Sequence, residues 1–285
     1  MKTKKLTFFN AALACVILLS LFSGYATAND VIAPAQSKVA DVSEIRSGLL
    51  AGYLEGKEYP NSLALIPVPP APGSAAFALD EDVAQRTFAL RGTPRFALAL
   101  SDFDLRFPHA AGTFSCALNA PVTEQDTPRL YMLLRRTMTD VGLSTYAAKN
   151  HYNRQRPFVL NKEPICAPEN KAWLEKDGSY PSGHTAIGWA WALILTEISP
   201  EQADAILARG RAFGESRNVC NHHWYSDVDW ARFMGAATVA RLHANPAFRA
   251  DLEAAKAELA AVRNKGLKPT RDCSAEAAAL DIRPY

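Results

Sequence analysis

Residues 178–195, GSYPSGHTAIGWAWALIL, carry two signals in one run. From 186 to 195 the chain is apolar on all sides over only ten residues. That is too short to cross a bilayer and lacks the polar face of a surface helix, so a helix buried in a helical core is expected here. Just before it come the small residues of 178–183, at a helix start where several backbone N–H groups have no intrahelical acceptor. Those groups can converge on an anion, with the positive end of the helix dipole behind them. His184 then sits where such an anion would lie. Taken alone, the segment reads equally well as a turn with a capping serine.

Working outward, the pattern stays helical. Thr127-Pro128 reads as an N-cap and first helical residue, followed by Leu130, Leu133, Leu134, Met138 and Val141 at helical spacing. Ser199-Pro200-Glu201-Gln202 repeats the start signal as a capping box. Phe248, Leu252, Ala255, Leu259 and Val262 form an apolar stripe, read as a helix packed on the body in preference to a dimer seam. Pro60, Pro67, Pro69, Pro70 and Pro72 crowd residues 59–74, which are expected to be an extended arm lying on the body. No alternating run is long enough to build a sheet, and neither an internal repeat nor a Gly/Ser linker divides the chain. The expectation is one all-α domain over 29–285, with the Pro-rich arm at about 29–75 and a helical core at about 127–263.

Composition agrees with a globular protein. Of 285 residues, 48% are apolar and 21% charged, enough for a sizeable core and unlike a disordered or collagenous chain. Residues 1–28 combine a Lys-rich start, an apolar run and Ala26-Thr27-Ala28, the pattern of a cleaved secretory signal. A retained membrane anchor is the competing reading. Lys and Arg total 31 against 29 Asp and Glu; removing Lys2, Lys4 and Lys5 with the leader leaves 28 against 29, a net charge of −1. So balanced a chain has no overall basic field for a nucleic-acid polymer, although a local cation cluster can still hold a small anion. Cleavage also removes Cys15 and leaves Cys116, Cys166, Cys220 and Cys273, room for two disulfides in any of three pairings.

Two further clusters are rich in chemistry. In Lys149-Asn150-His151-Tyr152-Asn153-Arg154-Gln155-Arg156-Pro157, the seven-residue interval from Lys149 to Arg156 is about two helical turns. Both cations would then share one face of a helix that Pro157 ends. A solvated basic face is the plainer explanation of this cluster alone. In Ser216-Arg217-Asn218-Val219-Cys220-Asn221-His222-His223-Trp224-Tyr225-Ser226-Asp227, His223 and Asp227 are four apart. On a helix, the carboxylate would accept one imidazole N–H and leave the other ring nitrogen basic. Arg217 precedes His223 by six positions, about 240° around a continuous helix, so an irregular turn is expected near 219–221. A metal site from His222, His223, Asp227 and Asp229 is the rival, but it leaves Lys149, Arg156 and Arg217 unexplained, and three cations would repel a dication.

Taken together, Lys149-x6-Arg156-Pro157, Pro181-Ser182-Gly183-His184 and Ser216-Arg217-x5-His223-x3-Asp227 resemble the three-part signature of the type 2 phosphatidic acid phosphatase superfamily. The longer string 178–185 narrows the resemblance to the bacterial class A non-specific acid phosphatases. Two departures are visible: the run Ile66-Pro67-Val68-Pro69-Pro70 is interrupted, and an additional histidine, His222, precedes His223. The resemblance implies an all-α bundle of the phosphatase/vanadium haloperoxidase type and an exported, periplasmic enzyme acting on phosphate monoesters of broad range. It further implies His223 as nucleophile, Asp227 as its orienting group and His184 as acid, with Lys149, Arg156, Ser182, Gly183 and Arg217 holding the phosphoryl oxygens. No metal and no cofactor are implied, phosphotransfer to an alcohol is open, and homo-oligomers are common among similar enzymes. A vanadate-dependent haloperoxidase and a non-catalytic phosphate-binding protein are the alternative readings.

Overall fold

The computed structural model describes residues 41–285; the signal-like leader, Cys15 and the arm up to residue 40 lie outside the described residues. At its centre is the helix Gly183–Ile198, whose Thr185, Ala186, Ile187, Gly188, Ala190, Trp191, Ala192, Ile194 and Leu195 are all buried. A helix apolar on every side has to be surrounded. Four helices pack against it: Pro128–Ser144, Ala203–Val219, Tyr225–Leu242 and Pro246–Asn264. Trp191 is wholly buried and donates its indole N–H to the Leu134 carbonyl at 3.1 Å, which satisfies its one polar atom. The stripe Phe248, Leu252, Ala255, Leu259 and Val262 is buried along Pro246–Asn264, which packs on Pro128–Ser144.

Helix starts follow local chemistry, with two departures. Thr127 is the N-cap and Pro128 the first residue of its helix, but the first-turn N–H groups of Arg129 and Leu130 donate to the carboxylate of Glu258, from the neighbouring helix, at 3.0–3.1 Å. Ser199 starts a 3-10 turn, Pro200–Gln202, that leads into Ala203–Val219, yet the capping box does not form. Its hydroxyl donates to Glu201 at 2.7 Å and accepts from Arg263 at 2.7 Å. A long-range guanidinium outcompetes the local bond.

Between residues 41 and 74 the chain clamps onto this bundle. It forms a small antiparallel pair, Glu44–Arg46 with Leu49–Leu50, then single turns at Gly56–Glu58 and Ser62–Leu65, then an irregular proline segment. Asp140 accepts the backbone N–H of Tyr53 at 2.9 Å and of Leu54 at 2.9 Å. Arg136 lies over the Tyr53 ring at 3.6 Å and donates to the Gly52 carbonyl. Further along, Tyr180 donates to the Pro67 carbonyl at 2.8 Å, tying the arm to the loop before the central helix. The disulfides are Cys116–Cys273 and Cys166–Cys220, which decides among the three pairings. Among the described residues no helix is long and apolar enough to cross a membrane.

Gly52 is required by space. A Cβ there would lie 2.0 Å from the Asp140 carboxylate that holds the arm. Gly52→Ala is therefore expected to push the arm off Asp140 and destabilise the protein by about 2 kcal/mol, the usual cost of overpacking. For a chain of this size that lowers Tm by about 4–8 °C, measurable by calorimetry.

Candidate active site

Three backbone elements meet at one end of the bundle. Residues Gly183 and His184 begin the central helix, Arg217 lies in the last turn of Ala203–Val219, and His223 stands two residues before Tyr225–Leu242. Between Arg217 and His223 the chain turns at Asn221, in a left-handed conformation (φ 57°), and the N–H groups of His222 and His223 both donate to the Arg217 carbonyl. This is the irregular turn that the six-residue spacing demanded. Cys220, within it, is bonded to Cys166.

Lys149 and Arg156 arrive by a different route from the one their spacing suggests. The helix Tyr146–Tyr152 ends at Asn153, a left-handed residue (φ 40°), and Pro157 opens a new helix with Arg156 as its N-cap. The two cations therefore share no helix, and Pro157 starts one where it was expected to end one. They converge through Asp177, whose Oδ2 is 2.7 Å from Arg156 Nη2 and 3.4 Å from Lys149 Nζ. Gly178 closes the arrangement: its carbonyl accepts from Lys149 at 2.6 Å, and a Cβ at 178 would meet the Lys149 carbonyl at 2.6 Å.

These groups line a single cleft of about 1120 Å³, whose walls include Lys149, Arg156, Asp177, Gly183, His184, Arg217, His222 and His223. Ser182 and Asp227 are buried and are not among its wall residues. Ser182 caps the central helix by accepting the Thr185 N–H, while its own N–H donates to the Asp227 carbonyl. His223 receives Arg156 Nη1 on Nε2 at 2.9 Å, which assigns its own proton to Nδ1. That Nδ1 lies 3.4 Å from Asp227 Oδ2, longer than a usual hydrogen bond. Asp227 stands in the first turn of its helix with His223 just outside it, so the pair meets without the shared helix that its spacing suggested. His184 donates from Nε2 to the Phe103 carbonyl at 3.0 Å, and its ring stacks on Phe103.

Burial and cations set the charges here. Burial, then Arg217, with Arg156 and Lys149, pull His184 down to about 3, while burial and the same three cations hold His223 well below its ordinary value. Burial and Arg156 lower Lys149 to about 8. Arg217 is wholly buried, and among the described residues its guanidinium makes one hydrogen bond, to His222 Nδ1 at 2.8 Å. Its Nε and Nη1 have no partner among the described residues. A buried cation with two unused donors is a receptor for an anion.

Sequence reasoning missed the residues that support this cleft. Arg154 donates to Asp227 at 2.6 Å and to Asp80 at 2.7 Å, and both carboxylates are fully buried. Asp102 accepts from Arg209 and from Ser216, the neighbour of Arg217, and so anchors the segment that carries Phe103. Arg154 stood in the quoted basic cluster but carried no distinguishing signal, and Asp80, Asp102 and Asp177 lie outside every motif. The rival metal set does not assemble: Asp229 is exposed and paired with Arg232, and no group of three or more metal-ligating side chains occurs among the described residues.

Comparison with known proteins identifies the relatives of the chain as a whole. Residues 130–250 match the PAP2 superfamily. The chain is 45% identical over 212 residues to the non-specific acid phosphatase of Providencia stuartii, covering 74% of this chain and 86% of that protein. It is 40% identical over 204 residues to the non-specific acid phosphatase of Salmonella typhimurium, covering 71% and 82%. A third relative is the acid phosphatase of Zymomonas mobilis, 41% identical over 201 residues, covering 70% and 76%.

Arg154→Leu is expected to leave two buried carboxylates without their counter-charge and to cost about 3–5 kcal/mol, the range for breaking a buried ion pair. Urea unfolding at neutral pH measures it, and a loss under about 1 kcal/mol would refute the bridging role.

Proposed function

Since the chain belongs to the PAP2 superfamily and, within it, to the class A non-specific acid phosphatases, we propose that it hydrolyses phosphate monoesters without a metal, through a covalent phosphohistidine on His223. The observation that carries this reading is the buried Arg217, with two free donors, in one cleft with two histidines, Lys149 and Arg156. His223 Nε2 attacks phosphorus in line with the ester oxygen; the N–P bond forms as the P–O bond to the alcohol breaks, and His184 supplies the proton that the alcohol takes away. Water then attacks phosphorus from the vacated side and gives a proton to His184. The N–P bond breaks, and inorganic phosphate leaves.

Asp227 keeps the His223 proton on Nδ1, so Nε2 stays the nucleophile. Arg156 Nη1, now on that nitrogen, is placed to move onto a phosphoryl oxygen as the N–P bond forms. Lys149, Arg156 and Arg217, with the N–H of Gly183, hold the equatorial oxygens, where charge spreads in the transition state. Ser182 Oγ accepts from the Thr185 N–H and hydroxyl, which fixes the first turn of the central helix and leaves its own O–H to donate to a phosphoryl oxygen. Nucleotides, sugar phosphates and aryl phosphates all present the group these residues contact. We read residues 1–28 as a secretory signal and the mature enzyme as periplasmic, a setting in which its two disulfides persist.

In the free site His184 is neutral, so its proton has to arrive with the substrate. Phosphate monoesters have a second pKa of about 6, and the monoanion brings that proton into a pocket whose cations it then offsets. The rate is accordingly expected to be bell-shaped with a mildly acidic optimum, and a flat profile from about pH 5 to 9 would count against it. His223→Ala removes turnover almost entirely. His184→Ala costs about 10²–10⁴-fold on alkyl phosphates and less on p-nitrophenyl phosphate, whose leaving group needs little protonation. Equal losses on the two esters would remove His184 as the acid, inhibition by EDTA would contradict the metal-free route, and added glycerol should intercept the phosphohistidine as glycerol phosphate.

Lys149 gives a second titration. Its cation is present below its pKa and lost above it, and that pKa is about 8 in the free site where 10.5 is ordinary. Inhibition by inorganic phosphate is therefore expected to weaken as pH rises through about 8. Lys149→Met should bind phosphate more weakly throughout and lose that limb.

A further inference from the structure

Toward its mouth the cleft changes character. Its volume of about 1120 Å³ lies just above the range of small-molecule sites, roughly 300–1,000 Å³, and far exceeds what a phosphoryl group fills. Leu100, Leu143, Tyr146 and Trp173 all line it, and all four belong to the exposed large apolar side chains, Trp173 at 58%. Single exposed apolar residues need no explanation, but four bordering one opening mark a binding surface.

The aromatic groups come from three elements, each tied to a group that faces the phosphate. Trp173 lies in the turn Lys171–Leu174, and the Leu174 carbonyl accepts Arg156 Nε at 2.9 Å. Three residues on, Asp177 holds Arg156 and Lys149. Tyr146 is one turn before Lys149 on the same helix, its ring 6.0 Å from Nζ. Phe103 stacks on His184 and holds its Nε2. The aromatic walls thus stand at a fixed register above the cations, where the alcohol of a bound ester would project.

The geometry points to a leaving-group subsite for a planar aromatic alcohol, with Trp173 as its outer stacking face. The inference rests on the phosphomonoesterase reading and deepens it: the preferred esters carry an aromatic ring near the phosphate, and polyol phosphates bind by the phosphoryl group alone. Arg46, Asp104, Arg106 and Glu169 also border the cleft, but Trp173, Tyr146 and Phe103 supply flat apolar faces on which a ring buries area without needing fixed polar partners.

The experiment compares kcat/KM for phenyl phosphate and glycerol 2-phosphate in the wild type, Trp173→Ala and Trp173→Phe, together with inhibition by phenylphosphonate and methylphosphonate. Trp173→Ala is expected to lower the phenyl-to-glycerol ratio about tenfold, chiefly through KM, and to raise the phenylphosphonate inhibition constant about tenfold relative to methylphosphonate. That is the effect of losing one stacking contact. Trp173→Phe should restore most of both. Unmoved ratios, or equal losses on both esters, would overturn the subsite while leaving the phosphatase reading intact. A wild-type enzyme that hydrolyses neither ester would overturn that reading and the subsite with it.

Discussion

The Arg154 guanidinium, held between the fully buried carboxylates of Asp80 and Asp227, is the constraint from which the site hangs. Asp80 comes from Ala75–Thr87 and also accepts the N–H and hydroxyl of Ser226, so it fixes the start of Tyr225–Leu242. Asp227 accepts the Trp224 N–H with the oxygen that faces His223. Three segments far apart in sequence are thereby locked with the imidazole between them. An uncompensated buried carboxylate would cost several kcal/mol, so the network holds as a unit or not at all.

The same logic governs the cations. Lys149, Arg156 and Arg217 are all buried, and like charges in a confined, poorly solvated space repel strongly. The fold tolerates them by pairing them unequally. Lys149 and Arg156 share Asp177, which is partly solvated and can yield, whereas among the described residues Arg217 has the neutral His222 and the more distant charge of Asp102. This asymmetry leaves Arg217 with the most to gain from an incoming anion. His222, the additional histidine beside the proposed nucleophile, satisfies one guanidinium N–H without adding charge.

How far the sequence could be read follows from the range of the forces involved. The central helix was legible because ten consecutive apolar residues have one stable environment, and the turn before His223 because helical geometry forbids any other way for Arg217 and His223 to meet. The Lys149–Arg156 interval was misread because a spacing of seven fits two helical turns whether or not the helix continues. Asn153 breaks it in a left-handed conformation that asparagine tolerates and the spacing cannot reveal. Arg154, Asp177, Asp80 and Asp102 were illegible for a different reason: each acts through partners 21 to 146 positions away, and a lone charge in sequence looks like a solvated one. Glu258, which caps a helix 128 positions away, is the same case among structural residues.

Burial of the cations also orders the events of the proposed reaction. With His184 and His223 both held neutral, the free site carries its positive charge on Lys149 and the two arginines, the groups that meet phosphoryl oxygens. A cationic histidine would compete with that role and, at the 223 position, would have no lone pair to attack with. Each negative charge that the ester brings weakens the field that keeps His184 deprotonated, so binding itself creates the condition in which His184 can carry a proton. Its Nε2–H, held by the Phe103 carbonyl, remains bonded in both protonation states, so the added proton belongs on Nδ1. In the proposed reaction the acid is thus loaded by the substrate it serves, and the segment carrying Phe103 is part of the proton inventory as well as of the wall.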